Sequence, residues 1–282
     1  MKVQTITVLG AGTMGHGIAH AAVASGFDAR LYDVSNPQLE RARDAIDAIF
    51  KAGIDRGKVT ADAARAGLQR LTATTEVGQA LAGSDFVIEA APERIDLKLK
   101  LLADIDRVAP GHAIVATNTS ALSITEMAGA LSKPARVAGM HFFNPVHKMK
   151  LVEIVRALES SEETLQTIED VARQMGKETV LVREAPGFIT TRVNASIGNE
   201  AFYMLMEGVA SARDIDKALK LGLNHPMGPF ELVDLVGLDT RLSILEYLHR
   251  SLGEKYRPCP LLAQYVKAGR LGKKVGKGVY EY

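Results

Sequence analysis

The chain has 282 residues, 34 Lys and Arg against 33 Asp and Glu, and a formal net charge of +1. The length suits one large domain or two smaller ones, and a charge near neutrality argues against a nucleic-acid or anionic-membrane surface, which favours a basic excess. A single cysteine, Cys259, cannot form an intramolecular disulfide; no apolar run approaches the roughly 20 residues of a membrane helix and no charged-then-apolar leader precedes the first strand, so a cytoplasmic globular protein is expected.

From the amino end to about Arg183, short apolar runs alternate with helical stretches. Ile6–Leu9, Ala29–Tyr32, Phe86–Ile88, Ala113–Ala116, Val137–Met140, Leu151–Val155 and Val180–Val182 read as strands. Continuous runs of this kind suit strands buried on both faces, and the helices between them imply βαβ units on a mainly parallel sheet. Ser35 with Gln38 three residues on resembles a capping box, with Pro37 tolerated in the first turn. Gly26 and Gly176 stand where helices should end.

The pattern changes after Ala185-Pro186-Gly187. Ile189, Val193, Ile197, Ala201 and Leu205 recur every four residues, which predicts a helix with one apolar face. Stretches near 211–221, 229–236, 239–251 and 260–268 also read helical. The expected organisation is an α/β domain over residues 1–184 followed by an all-helical domain over 185–282.

Gly10-Ala11-Gly12-Thr13-Met14-Gly15 directly follows the first strand and opens a helical run to Ser25. Gly10 allows a tight turn, Gly12 lets the backbone approach a diphosphate, and Gly15 lets helix and strand pack closely. The helix N-terminus adds unpaired N–H groups, including those of Thr13 and Met14, and a positive dipole. The second strand ends in Asp33, where a carboxylate would accept hydrogen bonds from a ribose 2′-hydroxyl and repel a 2′-phosphate, favouring NAD over NADP. The competing reading is a glycine-rich turn used only for packing, with Asp33 as a turn residue.

Of seven histidines, His16 and His20 have a spacing that can bind zinc but lack a following glutamate, and no metal is expected. His112, His147, His225 and His249 have no convincing local partner. His141 closes the run Arg136–Met140, at the carboxyl end of a strand, the edge where open α/β sheets bind ligands. Twelve residues on, Glu153 interrupts an apolar strand, which costs several kcal/mol unless the carboxylate is paired. If the two strands are neighbours, Glu153 would fix the imidazole tautomer and favour its protonated form. Spacing alone leaves open a structural histidine and a glutamate at the sheet rim. Thr117-Asn118-Thr119-Ser120 follows another strand; Ser120 could cap the next helix or present its hydroxyl to a substrate oxygen.

Together these residues resemble the short-chain L-3-hydroxyacyl-CoA dehydrogenases, including the bacterial 3-hydroxybutyryl-CoA dehydrogenases. The resemblance covers nearly the whole chain through Val8–Gly15 (VLGAGTMG), Val87–Glu93 (VIEAAPE), Thr117–Ser120 (TNTS), His141–Pro145 (HFFNP), Leu151–Glu153 (LVE), Pro186–Phe188 (PGF), Pro226–Asp239 (PMGPFELVDLVGLD) and Gly272–Tyr280 (GKKVGKGVY). It implies a Rossmann-like N-terminal domain, a helical C-terminal domain that forms a homodimer, and a site in the cleft between them. It also implies that His141 is the catalytic base, that Glu153 is its partner and that Ser120 contacts the reacting oxygen. Glu93, Lys98, Asn144 and Lys274 would contact the cofactor. Lys51, Arg56 and Lys58 stand where the family binds coenzyme A, although a solvated face explains them equally well. After PGF the family usually reads Asn-Arg, whereas this chain has Thr191-Arg192; Thr191 keeps one hydrogen bond but no amide.

The expected reaction is NAD-linked, reversible oxidation of a short-chain (S)-3-hydroxyacyl-CoA thioester to the 3-oxoacyl-CoA, a step of fatty-acid β-oxidation and related routes. Two rivals stand beside it: a dehydrogenase of a free 3-hydroxy acid resembling L-gulonate dehydrogenase, and a non-catalytic NAD-binding homologue such as a lens crystallin.

Overall fold

The computed structural model describes residues 2–282; Met1, the first residue of the expected 1–184 domain, lies outside the described residues. The chain divides into two compact units, one ending at Glu184 and the other Ala185–Tyr282. The first unit contains, in order, β1 (Thr5–Leu9), α1 (Thr13–Ala24), β2 (Asp28–Tyr32), α2 (Asn36–Asp55), α3 (Ala61–Gln69), β3 (Leu71–Thr74), α4 (Val77–Leu81), β4 (Phe86–Glu89), α5 (Ile95–Val108), β5 (Ile114–Thr117), α6 (Ile124–Ala128), β6 (Val137–Phe142), β7 (Leu151–Arg156), α7 (Glu162–Gln174) and β8 (Glu178–Arg183). The eight strands form one sheet in the order β3-β2-β1-β4-β5-β6-β7-β8. Neighbours run parallel except β6 and β7, which are antiparallel. The order reverses between β1 and β4, so loops leaving their carboxyl ends diverge and open the crevice where such Rossmann-like sheets bind ligands.

The central strands are buried because their runs are apolar throughout: Ile6, Val8, Leu9, Val87, Ile88, Val115 and Ala116 expose nothing. Both sheet edges differ from expectation. β3 escapes sequence reading because Leu-Thr-Ala-Thr offers only one buried side chain, Leu71. At the other edge, Val180 and Leu181 of β8 are 38% and 58% exposed. That corrects the expectation that this run is covered on both faces; branched composition favours extended backbone without requiring burial. Gly26 and Gly176 adopt left-handed conformations just after α1 and α7, as expected of helix ends.

The second unit holds α8 (Thr190–Met206), α9 (Ala212–Gly222), α10 (Pro229–Val236), α11 (Leu238–Leu252) and α12 (Pro260–Lys267). Its core is built from Phe202, Phe230, Leu245, Leu248 and Leu262, with the Phe202 and Phe230 rings edge to face at 5.2 Å. The helix at α8 forms, but only part of its apolar stripe, Ala201, is buried within the unit. Ile189 and Val193 are 49% and 55% exposed, and the buried residues are Ala195, Gly198, Asn199, Ala201 and Phe202. A spacing of four overshoots a turn by roughly 40° per step, so such a stripe winds around the helix. Small residues decide the contact instead: a Cβ on Gly198 would lie 3.2 Å from Val233 Cγ2.

Candidate active site

The turn between β1 and α1 is shaped by backbone contacts that exclude side chains at two positions. A Cβ on Gly10, whose φ is +105°, would lie 2.7 Å from Ala90 O, and one on Gly15 would lie 1.7 Å from Gly10 O. A Cβ on Gly12 would meet nothing within 4 Å. Gly12 is the N-cap of α1 and offers no side chain to the first helical N–H groups, which have no acceptor within the helix. Space and unpaired donors therefore coincide at Gly12, Thr13 and Met14. This is the cradle a dinucleotide diphosphate needs, and the residues fit NAD.

Asp33 pins that turn from the end of β2. Its Oδ2 accepts the Ala11 N–H at 2.9 Å and its Oδ1 accepts the Ser35 N–H at 3.1 Å. Only half of the expected capping box forms. Ser35 Oγ accepts the Gln38 N–H, but the Gln38 side chain turns away to donate to Ala11 O at 2.8 Å. The Ser35 N–H is already taken by Asp33, so the glutamine is released to brace the glycine turn.

Antiparallel pairing sets Glu153 of β7 directly opposite His141 of β6. His141 Nδ1 and Glu153 Oε2 are 2.7 Å apart, with the residues 5% and 0% exposed. The imidazole also stands 4.6 Å from the Phe143 ring. β6 ends beside β5, and Asn118 Oδ1 accepts the Phe142 N–H at 2.9 Å, tying the histidine strand to the loop that carries Ser120. Ser120 is not a helix cap: Ser123 caps α6, accepting the Glu126 N–H. The Ser120 backbone N–H instead donates to Glu93 Oε1 at 2.9 Å.

That Glu93 contact belongs to a network missed at the level of sequence. Glu89, the last residue of β4, is fully buried, and its carboxylate receives the Lys98 ammonium at 2.8 Å on each oxygen, the Ala91 N–H at 2.7 Å and the Thr117 hydroxyl at 2.6 Å. Lys98 also donates to Ala91 O at 3.1 Å and lies 3.5 Å from Glu93 Oε2. Glu93 Oε1 accepts from the Thr119 hydroxyl and the Ser120 and Ala121 N–H groups. The structure thus places Lys98 behind the ligand-binding edge, holding its loops, with Glu93 between it and Ser120. A carboxylate ending an apolar strand was the available signal for Glu89.

The other expected residues are dispersed. Asn144 is exposed in the loop after β6, Lys51 is exposed on α2, and Arg56 and Lys58 are exposed just beyond that helix. In the helical unit, Thr191 lies in the first turn of α8, and Lys274 Nζ reaches both Asp239 carboxylate oxygens at 2.7 Å. Among the described residues no group of three or more His, Cys, Asp or Glu could hold a metal, and no helix is long and apolar enough to cross a membrane.

Two family models match the chain: the NAD binding domain of 3-hydroxyacyl-CoA dehydrogenase over residues 5–185 and the C-terminal domain of the same enzyme over 187–282. The chain belongs to the 3-hydroxyacyl-CoA dehydrogenase family. A Bacillus subtilis protein named "Probable 3-hydroxybutyryl-CoA dehydrogenase" is 46% identical over 100% of this chain and 98% of its own length. The 3-hydroxybutyryl-CoA dehydrogenase of Bradyrhizobium diazoefficiens is 42% identical over 99% of this chain and 96% of its own. The crystal structure of the (S)-3-hydroxybutyryl-CoA dehydrogenase of Ralstonia eutropha matches with a TM-score of 0.95 at 41% identity, covering 100% of this chain and 99% of that one. Like other members of the 3-hydroxyacyl-CoA dehydrogenase family, the chain is an NAD-dependent oxidoreductase.

Proposed function

We propose that this chain reversibly oxidises a short-chain (S)-3-hydroxyacyl-CoA, with 3-hydroxybutyryl-CoA as the first candidate, to the 3-oxoacyl-CoA. The observation that carries the reading is the 2.7 Å contact between His141 and Glu153 at the carboxyl edge of the same sheet that bears the open glycine turn. NAD, when bound, supplies the hydride acceptor. In this reading Glu153 accepts from the Nδ1 proton of His141, so Nε2 carries the lone pair that takes the substrate hydroxyl proton. The buried carboxylate then stabilises the imidazolium as the proton arrives, and the same imidazolium returns the proton in the reverse direction.

The remaining roles are those the family resemblance implies, with the network supporting that of Ser120. Glu93 holds the backbone of Ser120, whose hydroxyl would hydrogen-bond the reacting oxygen. Gly10, Gly12, Thr13, Met14, Gly15 and Asp33 would hold the adenosine half of NAD, with Glu93, Asn144 and Lys274 on its nicotinamide half and Lys98 acting through Glu89 and Glu93. Thr191 takes the place of the family asparagine at the substrate carbonyl, and Lys51, Arg56 and Lys58 would meet coenzyme A. The reading includes a homodimer built through the helical unit, supported by the exposure of Val193, Met206, Val209, Leu221 and Leu223 there. It also includes a cytoplasmic location, which suits the one free, buried cysteine, Cys259.

The test is spectrophotometric: acetoacetyl-CoA with NADH, compared with NADPH and with free 3-oxo acids such as acetoacetate. Oxidation of NADH by the thioester alone is the expected result; turnover of free acids in preference to thioesters overturns it.

A further inference from the structure

Away from the dyad, the first unit gathers cations where α1, the end of α2 and the loop between β6 and β7 meet. The contact is close, since a Cβ on Gly17 would lie 2.9 Å from Val146 Cγ2. His20 of α1 is 9% exposed, packs against the Phe50 ring of α2 at 4.5 Å and stands edge to face with His147 at 6.3 Å. Its Nδ1 is buried without a hydrogen-bond partner among the described residues. Lys177, also buried, donates to Val146 O at 2.5 Å and Met149 O at 2.9 Å, so the loop is held from beneath by a positive charge. His147 and Lys148 lie exposed above it.

The largest charge effects on His147 come from Lys148 of its own loop, Lys177 of the turn before β8, His16 of α1 and Arg56 at the end of α2, all of them cations. Burial and then these like charges hold the imidazole below its ordinary pKa. A cluster of cations is costly by itself and is relieved by an anion. No core requirement explains it: three of its members are at the surface.

We propose that His147, with His16, Lys148 and Arg56, forms a proton-linked phosphate site for the coenzyme A part of the substrate. The proposal rests on the functional reading above and extends the coenzyme A contacts from α2 to the β6–β7 loop, adding His147 as the pH-sensitive member. An entering phosphate supplies negative charge, so His147 binds a proton as the complex forms and donates a charge-assisted hydrogen bond to a phosphate oxygen. The NAD diphosphate offers the same chemistry, and the experiment separates the two sources.

Free coenzyme A and NADH are titrated separately into the intact protein by calorimetry at neutral pH, in two buffers of different ionisation enthalpy, with no turnover required. Coenzyme A binding is expected to take up part of a proton. In His147→Gln that uptake disappears and the Kd for coenzyme A rises about tenfold, the scale of one hydrogen bond to a charged group, while the NADH titration stays put. Absence of coenzyme A binding, binding without proton uptake, an unchanged Kd in the variant, or a loss confined to NADH overturns the proposal. Failure of the functional reading appears separately, as coenzyme A bound with proton uptake by a protein that does not reduce acetoacetyl-CoA.

Discussion

Lys98 Nζ lies 2.8 Å from both carboxylate oxygens of Glu89, and the two side chains are 1% and 0% exposed. The pair is an anchor: it fastens α5 to the end of β4 and, through Thr117 on Glu89 and through Glu93 on the Ser120 backbone, to the loop after β5. Lys98→Met leaves a buried carboxylate without its counter-charge and is expected to destabilise the protein by about 3–5 kcal/mol in urea unfolding. A change below about 1 kcal/mol would show that the pair is dispensable.

In the proposed mechanism, loss of the His141 imidazole removes the proton acceptor. His141→Ala is expected to lower kcat for acetoacetyl-CoA reduction by about 10²–10⁴-fold while the fluorescence titration with NADH is preserved. Glu153→Gln keeps the shape but not the charge, and should lower kcat by at least about tenfold with little change in the KM for NADH. Wild-type turnover in either variant removes the dyad from the mechanism.

Asp33 serves two ends, since its Oδ2 also accepts the Ala11 N–H of the glycine turn. Asp33→Ala should therefore raise the ratio of kcat/KM for NADPH over NADH, because the repelling carboxylate is gone, while lowering kcat/KM for NADH itself. An unchanged ratio would place cofactor choice elsewhere.

His20 is held neutral in the fold, its pKa lowered to about 4 by burial first and then by His147, Lys177 and His16. Unfolded, it titrates near 6.5, so between pH 6.5 and about 4 the unfolded chain carries the extra proton and stability falls as the pH falls. The loss is on the order of 3 kcal/mol by pH 4. His20→Gln should flatten this part of the pH profile in denaturant melts; an equally steep profile would assign the acid sensitivity to other groups.

Thr191 has a shorter side chain than the family asparagine and no amide. Thr191→Asn is expected to raise kcat/KM for acetoacetyl-CoA several-fold, about 1 kcal/mol of added hydrogen bonding. If it lowers kcat/KM instead, the threonine is fitted to a different acyl group.

The dyad was legible because a charge inside an apolar strand demands a partner and His141 stood on the preceding strand. The glycine turn was legible because strand, glycines, helix and acid follow in order. The Glu89–Lys98 pair and β3 were not, although Glu89 itself ends an apolar strand. A lysine reads as a surface residue in any sequence, so the burial of Lys98 against Glu89 gives no linear signal, and Leu71–Thr74 carries too few apolar residues to stand out. On α8 the apolar spacing revealed the helix but not the whole of its buried face, to which Ala195, Gly198 and Phe202 belong beside Ala201.

The reversal of direction at β6 and β7 has a consequence for how the molecule assembles and fails. Only twelve positions separate His141 from Glu153, so their contact forms on closing one short loop, whereas Asp33 meets Ala11 across 22 positions and Thr117 meets Glu89 across 28. Of these contacts the dyad therefore has the smallest loop-closure cost. Conversely, transient opening of this single ribbon would silence proton transfer while the dinucleotide turn, built from other segments, stayed formed, and amide exchange along β6 and β7 would track lost turnover rather than lost cofactor affinity.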